Sequence, residues 1–77
     1  MALPRTTQMV LRLAMAEQRA VDASDVQAEL GFTPIQAASE LRELARRGFL
    51  HEVTEEPGLP RYEFDAAAED AARGELL

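Results

Sequence analysis

The chain contains no cysteine and no lysine, and it has no long apolar run. Without cysteine, the chain forms neither disulfide bonds nor thiolate metal sites. No apolar stretch approaches the roughly 20 residues that a membrane-spanning helix requires. The first residues, MALPRTTQ, also lack the basic start and apolar segment of a signal peptide. We therefore expect a cytoplasmic protein.

The sequence offers little for catalysis. It has no nucleophile with a nearby base, no glycine-rich phosphate loop and no metal-ligand spacing. His51 is the one histidine and is expected on a surface strand rather than as a ligand or pH sensor. Glu55 and Glu56 are expected at a solvated turn tip rather than as a metal or catalytic pair. We expect no enzyme activity, no cofactor and no metal.

The 77 residues are enough for one small domain, and their 47% apolar content is not that of a disordered chain. A domain of this length buries only about 60% of the surface that its unfolded chain exposes. Its stability is therefore expected to be marginal, which makes help from a partner or a second copy plausible.

Charge is distributed unevenly along the chain. Residues 1–50 carry six arginines and six acidic residues, whereas residues 51–77 carry two arginines and eight acidic residues. The formal net charge of −6 therefore comes entirely from the last 27 residues.

A first helix is predicted over residues 6–19, which contain neither Gly nor Pro and are rich in helix formers. Thr6 or Thr7 suits its N-cap. Helical spacing predicts a core-facing stripe, with Val10 beside it. That stripe consists of Met9, Leu13, Ala16 and Ala20.

The next segment predicts a short strand and a short helix. Val21 is β-branched and lies between two helical stretches. Asp22 suits an N-cap, Asp25 suits the positive end of the helix dipole, and Gly31 ends the helix. The residues expected to face inward are Val26 and Leu30.

The start of a third helix is the best-marked boundary in the chain. Thr33 suits the N-cap, Pro34 the first helical position, and Gln36 the partner of Thr33 in a capping box. Phe32 can staple onto Ala37. The helix is expected to end at Gly48 after Arg46 and Arg47, and its inner stripe comprises Ala37, Leu41, Leu44 and Ala45.

Residues 49–64 predict a β-hairpin that turns at Pro57-Gly58. Tyr62 and Phe64 are two residues apart and therefore point to the same face. The tail either forms a helix from Asp65 to about Arg73 or frays.

This order of elements resembles a winged helix-turn-helix domain similar to small MarR-like and PadR-like bacterial regulators. The likeness is carried by DVQAELGFTPIQAASELRELARRGFL followed by PGLPRYEFD. It implies a mainly α fold with a small β-hairpin, in which residues 1–64 form the winged helix-turn-helix domain and residues 65–77 an acidic, Ala-rich tail or short helix. The matching positions are Leu30, Gly31, Thr33, Leu41, Leu44, Gly48, Leu50 and Tyr62.

The resemblance implies a transcriptional regulator that binds double-stranded DNA, with the third helix in the major groove. Gln36, Ser39 and Glu43 would then read bases, and Ile35 would touch a thymine methyl group. The remaining residues of the predicted DNA-binding set are Thr33, Arg42, Arg46, Arg47 and Arg61.

Charge favours a different partner. Residues 51–64, here called the wing, carry four glutamates against Arg61 alone, and such a surface repels a polyanion. The family usually has a basic residue near position 39, where this chain has Ser39 and Glu40. The alternative is a protein-interaction winged helix, an accessory subunit or phage-type modulator that binds a basic partner. A detached fragment of a larger regulator is a third reading, which the initial Met and the lack of a linker disfavour.

Leu11 and Met15 lie one turn apart on another side of the first helix. An exposed apolar strip of this kind is uncommon in a small monomer. We expect it to be covered by a second subunit, in a homodimer, or by the chain's own tail. The tail residues that could cover it are Ala68, Ala72, Leu76 and Leu77.

Overall fold

The computed structural model describes residues 3–54 and 57–76. Within them the chain is mainly α-helical with one small antiparallel hairpin, which confirms the predicted fold class. The α-helices are α1 (Arg5–Glu17), α2 (Ala23–Leu30), α3 (Pro34–Arg46) and α4 (Glu69–Leu76). The strands are β1 (Leu50–Glu52) and β2 (Tyr62–Phe64), and a 3-10 turn, Ala66–Ala68, precedes α4.

Local capping fixes the starts of α2 and α3. Asp22 accepts a hydrogen bond from the Asp25 amide at 3.0 Å, and the Asp25 carboxylate accepts one from the Asp22 amide at 2.9 Å. Thr33 Oγ1 accepts from the Gln36 amide at 3.2 Å. The N-caps predicted for α2 and α3 are confirmed. The capping box predicted for Thr33 and Gln36 is wrong, because only the Thr33 bond forms; among the described helices, α2 forms both bonds of a capping box, through Asp22 and Asp25.

The start of α1 differs from the prediction. The helix begins at Arg5 after Pro4, so neither Thr6 nor Thr7 is its N-cap. Thr7 is instead buried within the helix, and its hydroxyl donates to Glu40 Oε2 at 2.8 Å. This bond ties α1 to α3.

The hairpin joins the helices through Tyr62. Its register pairs Leu50 with Phe64 and Glu52 with Tyr62. Val21 forms an isolated antiparallel bridge to Tyr62, with both backbone hydrogen bonds at 2.8 Å. Where a short strand was predicted, Val21 forms only this single-residue bridge, which anchors the hairpin beside the start of α2.

The core-facing stripe of α3 is as predicted, since Ala37, Leu41 and Leu44 are buried. The stripe predicted for α1 is wrong: Met9 is 37% exposed and Ala16 is also exposed. The cause is non-local, because α1 contacts α2, α3, α4 and β2, and these neighbours together decide which side is covered. The buried face of α1 consists of Thr7, Val10, Leu11 and Ala14.

The tail folds back on α1 as a helix. The Asp65 carboxylate accepts from the Ala67 amide at 3.0 Å and starts the 3-10 turn. Ala72 is fully buried, and α4 continues to Leu76, beyond the predicted end at Arg73. Arg12 donates to the Leu76 carbonyl at 3.0 Å. Of the helices in the described residues, none is long and apolar enough to cross a membrane.

Candidate nucleic-acid interface

The side of α3 that faces away from the core is open to solvent. Ala37, Leu41 and Leu44 point inward, so side chains about half a turn away point outward, given about 100° per residue. Ile35 is 83% exposed, which is exceptional for a large apolar side chain in this molecule. We call this surface the α3 outer face; it comprises Ile35, Gln36, Ser39, Arg42 and Arg46, all of them exposed.

At the C-terminal end of this face, one carboxylate holds two guanidinium groups. Arg46 Nε lies 3.0 Å from Glu43 Oε1, and Arg46 Nη2 lies 2.6 Å from Glu43 Oε2. Arg47 Nε lies 2.5 Å from the same Oε2. We call these three residues the Glu43 clamp. The hydrogen bonds from Arg46 and then Arg47 lower the pKa of Glu43 to about 2, so the carboxylate is charged at neutral pH.

The clamp bears on the predicted role of Glu43 as a base reader. Both carboxylate oxygens already accept hydrogen bonds from arginine. A cytosine amino group would have to compete with these charge-assisted bonds, which are stronger than neutral ones. The geometry suits Glu43 to holding Arg46 and Arg47 better than to reading a base.

Arg42 differs from the clamp arginines. It is exposed, and it forms no ion pair with the part of the chain that the structure describes. Its side chain borders a groove of about 260 Å³ between α3, the start of α2 and the wing. The groove is otherwise largely apolar, with walls formed by Ala38, Leu41, Leu59, Pro60 and Tyr62.

The described part of the wing is polar and exposed. The Thr54 hydroxyl donates to Glu52 Oε2 at 2.9 Å and accepts from the Arg61 amide at 3.1 Å. His51 Nε2 lies 3.9 Å from Glu63 Oε1, with both side chains about half exposed. His51 therefore lies on a surface strand, as expected. Glu55 and Glu56, predicted at the turn tip, lie outside the described residues.

The apolar strip on α1 formed by Leu11 and Met15 is covered by other parts of the same chain. Leu11 is fully buried, and Met15 is half-buried against the core. Leu11 is fully covered within the single chain and therefore has no surface left for a second subunit. Leu76 is half-buried on α4, and Leu77 lies outside the described residues. The homodimer stays a prediction that this strip does not support.

The predicted DNA-binding residues fall into two groups. Those from Thr33 to Arg47 share α3 and its two ends, whereas Arg61 lies apart on the wing. Sequence reasoning missed the Glu43 clamp, although its spacings of three and four residues could have revealed it. It also missed the groove, because no local pattern places Leu59 and Pro60 beside α3.

Among the described residues, no cluster of three or more His, Asp or Glu side chains could hold a metal ion.

Comparisons with known proteins are informative about the fold of this chain and show no family for it. No family model matches the sequence, and none of the curated proteins compared with it is similar. The resemblance to MarR-like and PadR-like regulators is therefore not supported at the level of those families. The chain is similar to one from a structural study of the DNA recognition and protein interaction domains of HOP2. The TM-score is 0.66 at 23% identity, over 78% of this chain and 98% of that one. With its first three helices and the adjoining hairpin, the chain has a winged-helix fold.

Proposed function

We propose that the protein binds double-stranded DNA through the α3 outer face. The observation that carries the proposal is the exposure of Ile35, Gln36 and Ser39 at the leading end of a capped, well-packed helix. An α-helix fits the major groove of B-DNA, where glutamine can pair with adenine and serine can bond to several bases. Ile35 would contact a thymine methyl group.

The local charge of α3 supports the proposal that this helix faces the DNA. Residues 34–47 hold three arginines and two glutamates, which gives +1, whereas the whole chain carries −6. Arg42, Arg46 and Arg47 would contact phosphates along the groove, and Arg61 would do so from the wing. Because the acidic surplus lies in residues 51–77, α3 is the less acidic surface for a duplex to approach.

The structural likeness adds a second line of support. The similar chain comes from a study of the DNA recognition and protein interaction domains of HOP2. A shared fold does not by itself establish a shared activity, so the proposal rests on the exposed face. A role as a cytoplasmic, homodimeric transcriptional regulator is the finer form of the proposal.

Fluorescence anisotropy with a labelled random duplex tests DNA binding. We expect binding at roughly 50 mM salt that weakens steeply as salt rises, because counterion release dominates non-specific affinity. Substituting Gln36→Ala should relax base preference in a selection from random sequences, whereas Arg61→Ala should weaken binding to all sequences alike. Arg73→Gln on α4 is a matched control, because Arg73 lies away from α3 and pairs with Glu69. Absence of binding at low salt would contradict the proposal.

A protein partner is the second candidate, and two observations favour it. The wing is acidic, and Ile35 and Leu59 are exposed apolar side chains, at 83% and 51%. Leu59 borders the largely apolar groove beside α3, and exposed apolar surface with a polar rim is typical of a protein-interaction site. If the duplex does not bind at low salt, we expect instead that Ile35→Ser and Leu59→Ser weaken binding to a basic protein partner.

A further inference from the structure

We propose that Glu43 determines specificity on the α3 outer face by restraining Arg46 and Arg47 from indiscriminate phosphate contacts. This inference rests on the proposed DNA-binding function and deepens it. Glu43 is a positioning residue, since it acts through the two arginines.

The geometry makes Glu43 a shared acceptor. Arg46 uses two nitrogens on the two carboxylate oxygens, and Arg47 adds a third bond to one of them. Paired guanidinium and carboxylate groups at such distances form charge-assisted hydrogen bonds. The side chains of Arg46 and Arg47 nevertheless remain 70% and 41% exposed. Both arginines are therefore within reach of an incoming phosphate while they are held by Glu43.

Electrostatics explains why this arrangement favours selective binding. With Glu43 present, the clamp presents a net charge of +1 instead of +2. A phosphate must displace or share the guanidinium groups that the carboxylate already holds. Non-specific binding depends almost entirely on phosphate neutralisation, so it is weakened most. Gln36 and Ser39, which would contact bases, lie seven and four residues before Glu43 on α3, and neither contributes a hydrogen bond to the clamp.

A second ion pair in the molecule provides a matched control. Arg73 Nη2 lies 2.7 Å from Glu69 Oε1, with a spacing of four residues on α4. Replacing Glu69 by Gln makes the same change in net charge and in size as replacing Glu43 by Gln. However, α4 packs on α1 and does not belong to the α3 outer face. Any difference between the two variants reports on position rather than on total charge.

The experiment measures affinity for a labelled random duplex between roughly 50 and 200 mM salt by fluorescence anisotropy. Glu43→Gln is expected to bind up to about 15-fold more tightly than wild type at the lower salt, because it frees one positive charge of the clamp for phosphate contact. Its log–log salt slope should steepen by roughly 0.9, the value for one further phosphate charge neutralised by Arg46 and Arg47 together. A merely structural role of Glu43 would not steepen this slope. Glu69→Gln is expected to show a much smaller gain.

A second measurement tests whether the effect passes through the arginines. In an Arg46→Gln/Arg47→Gln background, adding Glu43→Gln should give a gain no larger than that of Glu69→Gln. If wild type binds and Glu43→Gln binds no more tightly than Glu69→Gln, the inference is wrong while the proposed function stands. If neither wild type nor Glu43→Gln binds at low salt, both are wrong. Far-ultraviolet circular dichroism confirms that each variant is folded.

Discussion

Arg42→Gln gives a sharp test of how α3 meets DNA. Arg42 is exposed on the outer face and has no ion-pair partner among residues 3–54 and 57–76, unlike Arg46 and Arg47. Within those residues no carboxylate neutralises its charge before a phosphate arrives. One phosphate contact multiplies the association constant by about the molar salt concentration raised to the power −0.9. This factor is about 15 at roughly 50 mM salt and about 4 at roughly 200 mM salt.

The assay is anisotropy with a random duplex at those two salt concentrations. Arg42→Gln is expected to lower affinity by up to these factors and to flatten the log–log salt slope by roughly 0.9. The control, Arg73→Gln, makes the same change in charge on α4, where Arg73 is paired with Glu69. An equal loss for both variants, or a loss for Arg42→Gln that does not change with salt, would refute the reasoning.

Three further predictions concern stability. Ala72→Leu should overpack the buried contact of α4 and lower the free energy of unfolding by about 1–3 kcal/mol. Ala71→Leu changes an exposed neighbour and should leave the thermal stability almost unchanged. Equal effects in thermal denaturation would argue against the docking of α4. Thr33→Ala removes the N-cap bond of α3 and should cost about 1 kcal/mol, a fall in Tm of about 4–8 °C. Ser39→Ala, in the exposed helix interior, should not lower Tm. Because the folded pKa of Glu43 is about 2, against an ordinary 4.5, its contribution to stability is present above pH 4.5 and is lost as the pH falls towards 2. Thermal denaturation between pH 4.5 and pH 2 should show a smaller fall in Tm for Glu43→Gln than for wild type. If Tm falls equally in both proteins, Glu43 does not pair with the two arginines in the folded protein.

The features that sequence predicted well depend on neighbours in the chain. The starts of α2 and α3 follow from Asp22 and Thr33, whose side chains bond to amides three residues ahead. The ends follow from Gly31 and Gly48, which adopt positive φ angles of 72° and 90°. The position of the hairpin follows from alternating residues around Pro57-Gly58. Such local rules need no knowledge of the tertiary structure.

The features that sequence missed depend on distant contacts. The buried side of α1 includes Thr7 because its hydroxyl bonds to Glu40 on α3, a neighbour that residues 6–19 alone do not indicate. The groove beside Arg42 exists because the bridge from Val21 to Tyr62 brings the wing next to α3. The residues of the α3 outer face could be grouped from sequence because a single helix presents them, and their contact with DNA stays a prediction. The pairing of Glu43 with two arginines changes its expected role.

The central claim is that the α3 outer face meets double-stranded DNA. Backbone amide chemical shifts of the isotope-labelled protein, followed during titration with a short duplex at low salt, test it most directly. We predict the largest shifts at Ile35, Gln36, Ser39 and Arg42, with little change in α4. Shifts confined to α1 and α4, or no shifts at any duplex concentration, would contradict the account.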